Sequence, residues 1–172
     1  TFKENPEPQI IAVLTDGTIG AVAYDRDQKI VGVSRVDVGG IVESIATIPS
    51  ETNGLDDVYL VVKRTINGGT KRYIEVLDHS FDFNPANTVD DAVFSDCSLT
   101  YDGAATATIT GLAHLEGETV VALADGNVVS GLTVASGSIT LPFTASVVHV
   151  GLAYTSRAIT HPISGPQQDG SL

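Results

Sequence analysis

Three glycine-containing turns set between β-branched runs constrain this chain more than any other feature. Asp16-Gly17, Asn67-Gly68-Gly69 and Asp125-Gly126 each offer the positive φ angles that a tight hairpin demands. The first joins runs at 9–15 and 18–24, the second runs at 57–66 and 70–77, and the third runs at 119–124 and 127–129. A chain stitched in this way is antiparallel and all-β. The middle hairpin alternates most clearly. Val58, Leu60 and Val62 oppose Tyr59, Val61 and Lys63, and the return strand sets Arg72, Ile74 and Val76 against Tyr73, Glu75 and Leu77.

Further strands are predicted at 29–37 and 41–48. Val31 and Val33 share one face of the first, with Gly32 and Ser34 on the other; Val42, Ala46 and Ile48 share a face of the second. Residues 1–8 read as a lead-in, because Pro6 and Pro8 oppose regular pairing. Beyond residue 93, short strands are expected at 99–101, 105–110, 119–124, 127–129, 132–134, 138–141 and 146–152, punctuated by Gly103, Gly111, Gly126, Gly131 and Gly137.

This pattern predicts an all-β fold in two parts. Residues 1–80 form a partial β-propeller-like set of antiparallel sheets, and 95–162 a small β-barrel. Residues 81–94 connect them, with Phe81 and Phe83 as anchors, and 163–172 form a flexible tail. Small residues at 20, 21, 32, 34, 44 and 46 suit closely stacked sheets. An isolated pair of blades would expose large apolar faces, so the first part is expected to need more chain or more subunits. Thr1 opens a sequence without Met; the expectation is a piece of a longer polypeptide, which the mass of the natural protein tests.

A net charge of −12 opposes tight nucleic-acid binding, since no Lys/Arg excess is available to release counterions. No apolar run approaches the roughly 20 residues of a membrane helix, and no membrane partner is expected. The single cysteine, Cys97, rules out an internal disulfide and reads as a small, partly buried residue.

Reactive chemistry finds little support. The acidic pairs Asp25/Asp27, Asp56/Asp57 and Asp90/Asp91 lack the further oxygens of a calcium loop and read as solvated turn residues. His79, His114, His149 and His161 have no partner at zinc spacing, and His149 reads as a hydrogen-bonded strand histidine. Ser80 beside His79 makes no triad. Sugar platforms would have to come from Tyr24, Tyr59, Tyr73, Tyr101 or Tyr154, which read instead as buried or edge-strand tyrosines, and the chain has no Trp. No catalytic, metal or cofactor-binding residue is assigned.

Two segments resemble a family of tailed-bacteriophage virion proteins. The first carries Leu-Thr-Asp-Gly-Thr (14–18), Ala-Tyr-Asp-Arg-Asp (23–27), Val-Gly-Val-Ser-Arg (31–35), Gly-Gly-Ile-Val-Glu-Ser (39–44) and Arg-Tyr-Ile-Glu (72–75). The second carries Asp-Ala-Val-Phe-Ser-Asp (91–96), Leu-Thr-Tyr-Asp-Gly (99–103), His-Leu-Glu-Gly-Glu-Thr-Val (114–120), Leu-Ala-Asp-Gly (123–126), Gly-Ser-Ile-Thr-Leu (137–141) and His-Val-Gly-Leu-Ala-Tyr-Thr-Ser (149–156). The second half is also similar in fold to the small β-barrel of ubiquitin-activating enzymes, their first catalytic-cysteine half-domain.

The resemblance implies a structural component of a bacteriophage tail, of the tube, hub or stabilisation type. Such a protein is made in the host cytoplasm, sits in the virion as a homo-oligomeric ring and contacts other tail proteins without catalysis. The contact positions put first are Glu116, Gly117, Glu118, Asp125, Gly126 and Asn127. The alternatives are a tail-tip module that binds host-surface glycan or protein, and a hydrolase of cell-envelope sugars.

Overall fold

The computed structural model describes residues 1–5, 8–25, 29–49, 54–77 and 88–155. The anchors expected at Phe81 and Phe83, the tail at 163–172, Asp27, and His79, Ser80 and His161 lie outside them. The protein is all-β: eleven strands lie in three antiparallel sheets, with two short 3-10 turns among the described residues.

The first sheet is a meander of β1 (Phe2–Lys3), β2 (Gln9–Val13), β3 (Ile19–Asp25) and β4 (Ile30–Val36) in sequential order. Pairing in the supposed lead-in corrects the sequence reading. Two residues suffice for β1 because Asp56 reaches across to it, accepting the N–H groups of Glu4 and Asn5 at 2.6 and 2.9 Å. The second sheet is also sequential: β5 (Ile41–Pro49), β6 (Asp56–Ile66) and β7 (Gly69–Leu77). Asn67 and Gly68 turn the β6–β7 hairpin with φ of 48° and 71°, both positive as a two-residue hairpin loop requires.

The alternation read from β6 and β7 holds throughout the hairpin. Val58, Leu60 and Val62 share a face with Leu77, Glu75 and Tyr73. The face assigned to β5 does not survive. A bulge between Val42 and Ser44 adds one residue and inverts the alternation beyond it. Val42 and Ile45 therefore point inward with Val62 and Leu60, while Ala46 and Ile48 point outward.

These two sheets stack face to face. Ile11 and Ile19 from the first meet Val42, Val58, Leu60 and Val62 from the second, and Val38 joins them from the connection. Small residues on the inner face of the first sheet, among them Ala21, Ala23 and Gly32, allow the close approach.

The third sheet runs β10-β9-β11-β8, with β8 at Asp96–Thr110, β9 at Thr119–Ala124, β10 at Asn127–Thr133 and β11 at Ser138–Leu152. Here seven expected strands become four. Gly103 lies inside β8, Gly131 occupies the bulge of β10, and Pro142 sits where β11 breaks register against β8 between Thr140 and Ala145. Glycine and proline are tolerated inside a strand where it bulges, so they bend these strands rather than end them.

One core gathers Ile109, Leu112, Leu115, Val120, Ala124, Val134, Leu141, Val148 and Val150 from β8, β9 and β11 and from the β8–β9 and β10–β11 connections, with the partly buried Val129 and Leu132 of β10 packed against it. Ile66, from the tip of the β6–β7 hairpin, completes it.

Candidate functional site

Three surfaces are candidates for function: the joint between the halves, the loop positions singled out by sequence, and the outer faces of the stacked sheets.

The joint is built on β6 and β7. Ile66 enters the second core, the Asn67 N–H donates to Glu118 Oε1 at 2.6 Å, and the Tyr73 hydroxyl donates to the His114 carbonyl at 2.7 Å. Below this tip, Arg64 lies 3% exposed and forks onto Glu75, with Nε and Nη2 donating at 2.6 and 2.7 Å. Among the described residues its Nη1 has no hydrogen-bond partner.

A cleft of about 580 Å³ opens beside this pair, lined in part by Tyr73, Glu75, Phe94, Asp96, Cys97 and His114. Burial raises the Asp96 carboxyl above its ordinary range, against the pull of Arg64. Burial likewise pushes the Cys97 thiol up to about 12, so it stays protonated at neutral pH and is not an activated nucleophile. His114 does not serve it as a base, since the ring Nε2 lies 3.2 Å from the Cys97 carbonyl oxygen. The sequence reading made Cys97 a small, partly buried residue; the structure places it in the buried core.

The loop positions are engaged inside the chain. Glu116 accepts the N–H groups of Ser136 and Gly137 at 2.8 and 2.7 Å, Glu118 holds Asn67, and a Cβ on Gly117 would come within 2.9 Å of the Asn67 side chain. Asp125 adopts φ 45° and sends its carboxylate into the irregular part of β11, where it accepts the N–H groups of Ser146 and Val147. Gly126 packs on the 3-10 turn at Val89–Asp91, and the Asn127 amide donates to the carbonyls of Ala124 and Asp125. The six positions fall into two turns, which these bonds tie to the β6–β7 tip, to β11 and to the β10–β11 connection.

The other polar candidates are distributed in the same way. Asp56 and Asp57 point to opposite faces of β6; the N–H groups of Asn5 and Glu4 hold the Asp56 carboxyl below its ordinary range. Asp91 caps its own 3-10 turn through Thr88. His149 is buried and hydrogen-bonded, as expected: Nε2 donates to the Asp90 carbonyl at 2.8 Å and Nδ1 meets the Thr100 hydroxyl at 2.8 Å. Among the described residues no group of three or more His, Cys, Asp or Glu side chains is placed to hold a metal.

Of the five tyrosines, Tyr24 and Tyr154 are exposed, while Tyr59, Tyr73 and Tyr101 are partly buried. Tyr154 and Phe94 flank a second, apolar groove of about 290 Å³ beside Val121, Leu123 and Val128.

The outer faces of the stack expose several large apolar side chains beside a few charged ones, Arg35 on the first sheet and Asp57, Lys63 and Arg72 on the second. Phe2, Ile10, Val22 and Val33 fall on one register row across the first sheet, with Tyr24 and Val31 on a neighbouring row of the same face. On the second sheet, Ile48, Ala46, Tyr59, Val61, Ile74 and Val76 share the outward face. Val33 and Ile74 are each 78% exposed. Large exposed apolar side chains were expected of this half of the chain, and the two sheets carry them. Their signal in the sequence was that both alternating sets of these strands contain several apolar positions, among them Tyr59, Val61, Ile74 and Val76 on the outward set.

Neither protein-family models nor curated protein sequences match this chain.

Proposed function

We propose that this protein is a structural component of a bacteriophage tail, which assembles through its sheets with copies of itself and with neighbouring tail proteins and carries out no catalysis. In this reading the two stacked sheets are consecutive propeller blades, and β8 to β11 form a small barrel appended to them. The observation that supports it best is the pair of apolar outer faces, since surfaces of this size on a folded protein mark contact sites. The resemblance of residues 12–77 and 91–162 to tail proteins supplies the setting.

Charge is consistent with a position near DNA without attachment to it. Residues 88–155 carry Asp90, Asp91, Asp96, Asp102, Glu116, Glu118 and Asp125, and no Lys or Arg. Such a surface repels a phosphate backbone.

The experiment is mass spectrometry of purified virions combined with imaging of particles carrying labelled protein. Fixed copy number and a tail-localised label support the reading; absence from intact particles overturns it. A second reading, a tail-tip module that binds host glycan or protein, draws on Phe94 and Tyr154 at the apolar groove, since aromatic faces pack on pyranose C–H bonds. Glycan-array binding lost on Tyr154→Ala would favour that reading instead.

A further inference from the structure

The two outer faces point away from each other, so one copy cannot bring them together. The geometry points to a second copy of this chain as the occupant of both: the outer face of β1–β4 in one copy packs on the outer face of β5–β7 in the next. This deepens the self-assembly part of the reading above and rests on that part alone.

The size of the faces is the first argument. A fully exposed side chain of this kind presents roughly 150–200 Å². At the observed exposures, Phe2, Ile10, Tyr24, Val31 and Val33 leave about 500 Å² uncovered on one face, and Ile41, Ile48, Ile74 and Val76 about 400 Å² on the other. Each lies within the range that folded monomers keep for contact. Joined, they remove about 900 Å² of apolar surface from water, and a polar rim brings the total toward the roughly 1,200–2,000 Å² of a specific interface.

The stacking inside the molecule favours head-to-tail contact over contact of like with like. It already sets the first sheet against the second. Head-to-tail contact continues that alternation from copy to copy: Phe2, Tyr24 and Val31 of one copy meet the outward face of β5–β7 in the next, where Tyr59, Ile74 and Val76 lie beside the small Ser44 and Ala46.

Ion pairs at these faces are matched within the copy, Arg35 with Asp16 on the first sheet and Arg72 with Glu43 on the second, and Lys63 and Asp57 share the second face with opposite sign. Strongly acidic copies can therefore meet here without setting unmatched carboxylates against each other. A contact between two different surfaces repeats from copy to copy, and closes into a ring when its rotation divides a full turn.

Sedimentation velocity of the whole chain, from micromolar to millimolar concentration, tests this with V33D and I74D, each at a position 78% exposed. Wild type should gain mass with concentration. Each variant alone should remain monomeric, because each lacks one of the two faces. An equimolar mixture should form a heterodimer and nothing larger, since each partner contributes its intact face.

A wild-type chain that stays monomeric throughout overturns the inference. So does I74D associating like wild type, which would mean like-with-like contact of the first sheet, or V33D doing so, which would mean like-with-like contact of the second; both doing so would place the contact elsewhere. Circular dichroism checks that the variants fold, and Val33→Thr and Ile74→Thr repeat the test if either aspartate variant does not. Detection of the protein in particles is read independently, so the tail assignment and this interface can fail separately.

Discussion

Replacing Arg64 by Leu tests how much the buried ion pair beneath the joint contributes to stability. The Arg64 side chain is 2% exposed and that of Glu75 16%, and two bonds of 2.6 and 2.7 Å join them. Removing one partner of such a pair strands the other, at a cost of about 3–5 kcal/mol. Arg64→Leu belongs near about 3 kcal/mol, because the stranded Glu75 retains some contact with water. Glu75→Leu belongs nearer about 4 kcal/mol, because the guanidinium it abandons has almost none.

The double replacement strands neither charge of the pair and should cost about 1–2 kcal/mol, well below the sum of the single changes. For a chain of 172 residues, about 3 kcal/mol lowers the melting temperature by roughly 6–12 °C. Equilibrium urea denaturation of the four proteins, followed by circular dichroism, measures the coupling. Single costs below about 1 kcal/mol, or costs that simply add, would refute the reasoning.

Asp96 adds a pH signature to the same variant. Its carboxyl is raised in the folded protein, chiefly by burial, and Arg64 moderates the rise. Stability held by such a group is complete below its unfolded pKa and falls as pH rises through the folded value. Without Arg64 the rise grows, so Arg64→Leu should lose additional stability between acid and neutral pH.

Gly151→Ala would set a Cβ 2.5 Å from Ser95 Oγ and 2.7 Å from the Asp96 carbonyl; we expect a loss of about 2 kcal/mol or more by urea denaturation, and a neutral result would refute it. Ile66→Ala should cost about 2–4 kcal/mol, and hydrogen exchange should show faster opening in β8–β11 although the change lies in β6. Asp56 has the opposite pH sign to Asp96: its carboxyl is lowered by the Asn5 and Glu4 N–H bonds, so its contribution is complete above the unfolded carboxylate range and is lost as pH falls through the folded value. Asp56→Asn should therefore flatten the acid limb of stability, measured as urea midpoints from neutral pH downward, and an unchanged limb would count against the clamp.

The local parts of this fold were legible where a residue type has one backbone use. Asn67-Gly68 and Asp125-Gly126 turn as hairpins because Asn, Asp and Gly tolerate the positive φ found there. Strand parity was legible along β6, where no bulge intervenes, and failed along β5, where the extra residue near Glu43 is a backbone feature with no composition of its own. Gly103 and Gly131 read as strand ends because such residues break isolated strands, whereas within a bent sheet they accommodate the curvature.

The joint was not legible at all. Arg64, Glu75, Asp96 and Cys97 come from three strands in two different sheets, and only tertiary packing gathers them. The apolar outer faces were the opposite case, since their excess of hydrophobic positions is written in the alternation itself.

The hairpin tip has a consequence for how the molecule bears load. Ile66 sits in the far core while the strands behind it belong to the near stack, so β6 and β7 act as a strut seated at both ends. A pull on either half reaches the other through that strut rather than through chain length. A segment cut out from residue 95 onward would carry an empty socket where the strut had rested, so the natural mechanical unit crosses the border that reading along the chain would draw.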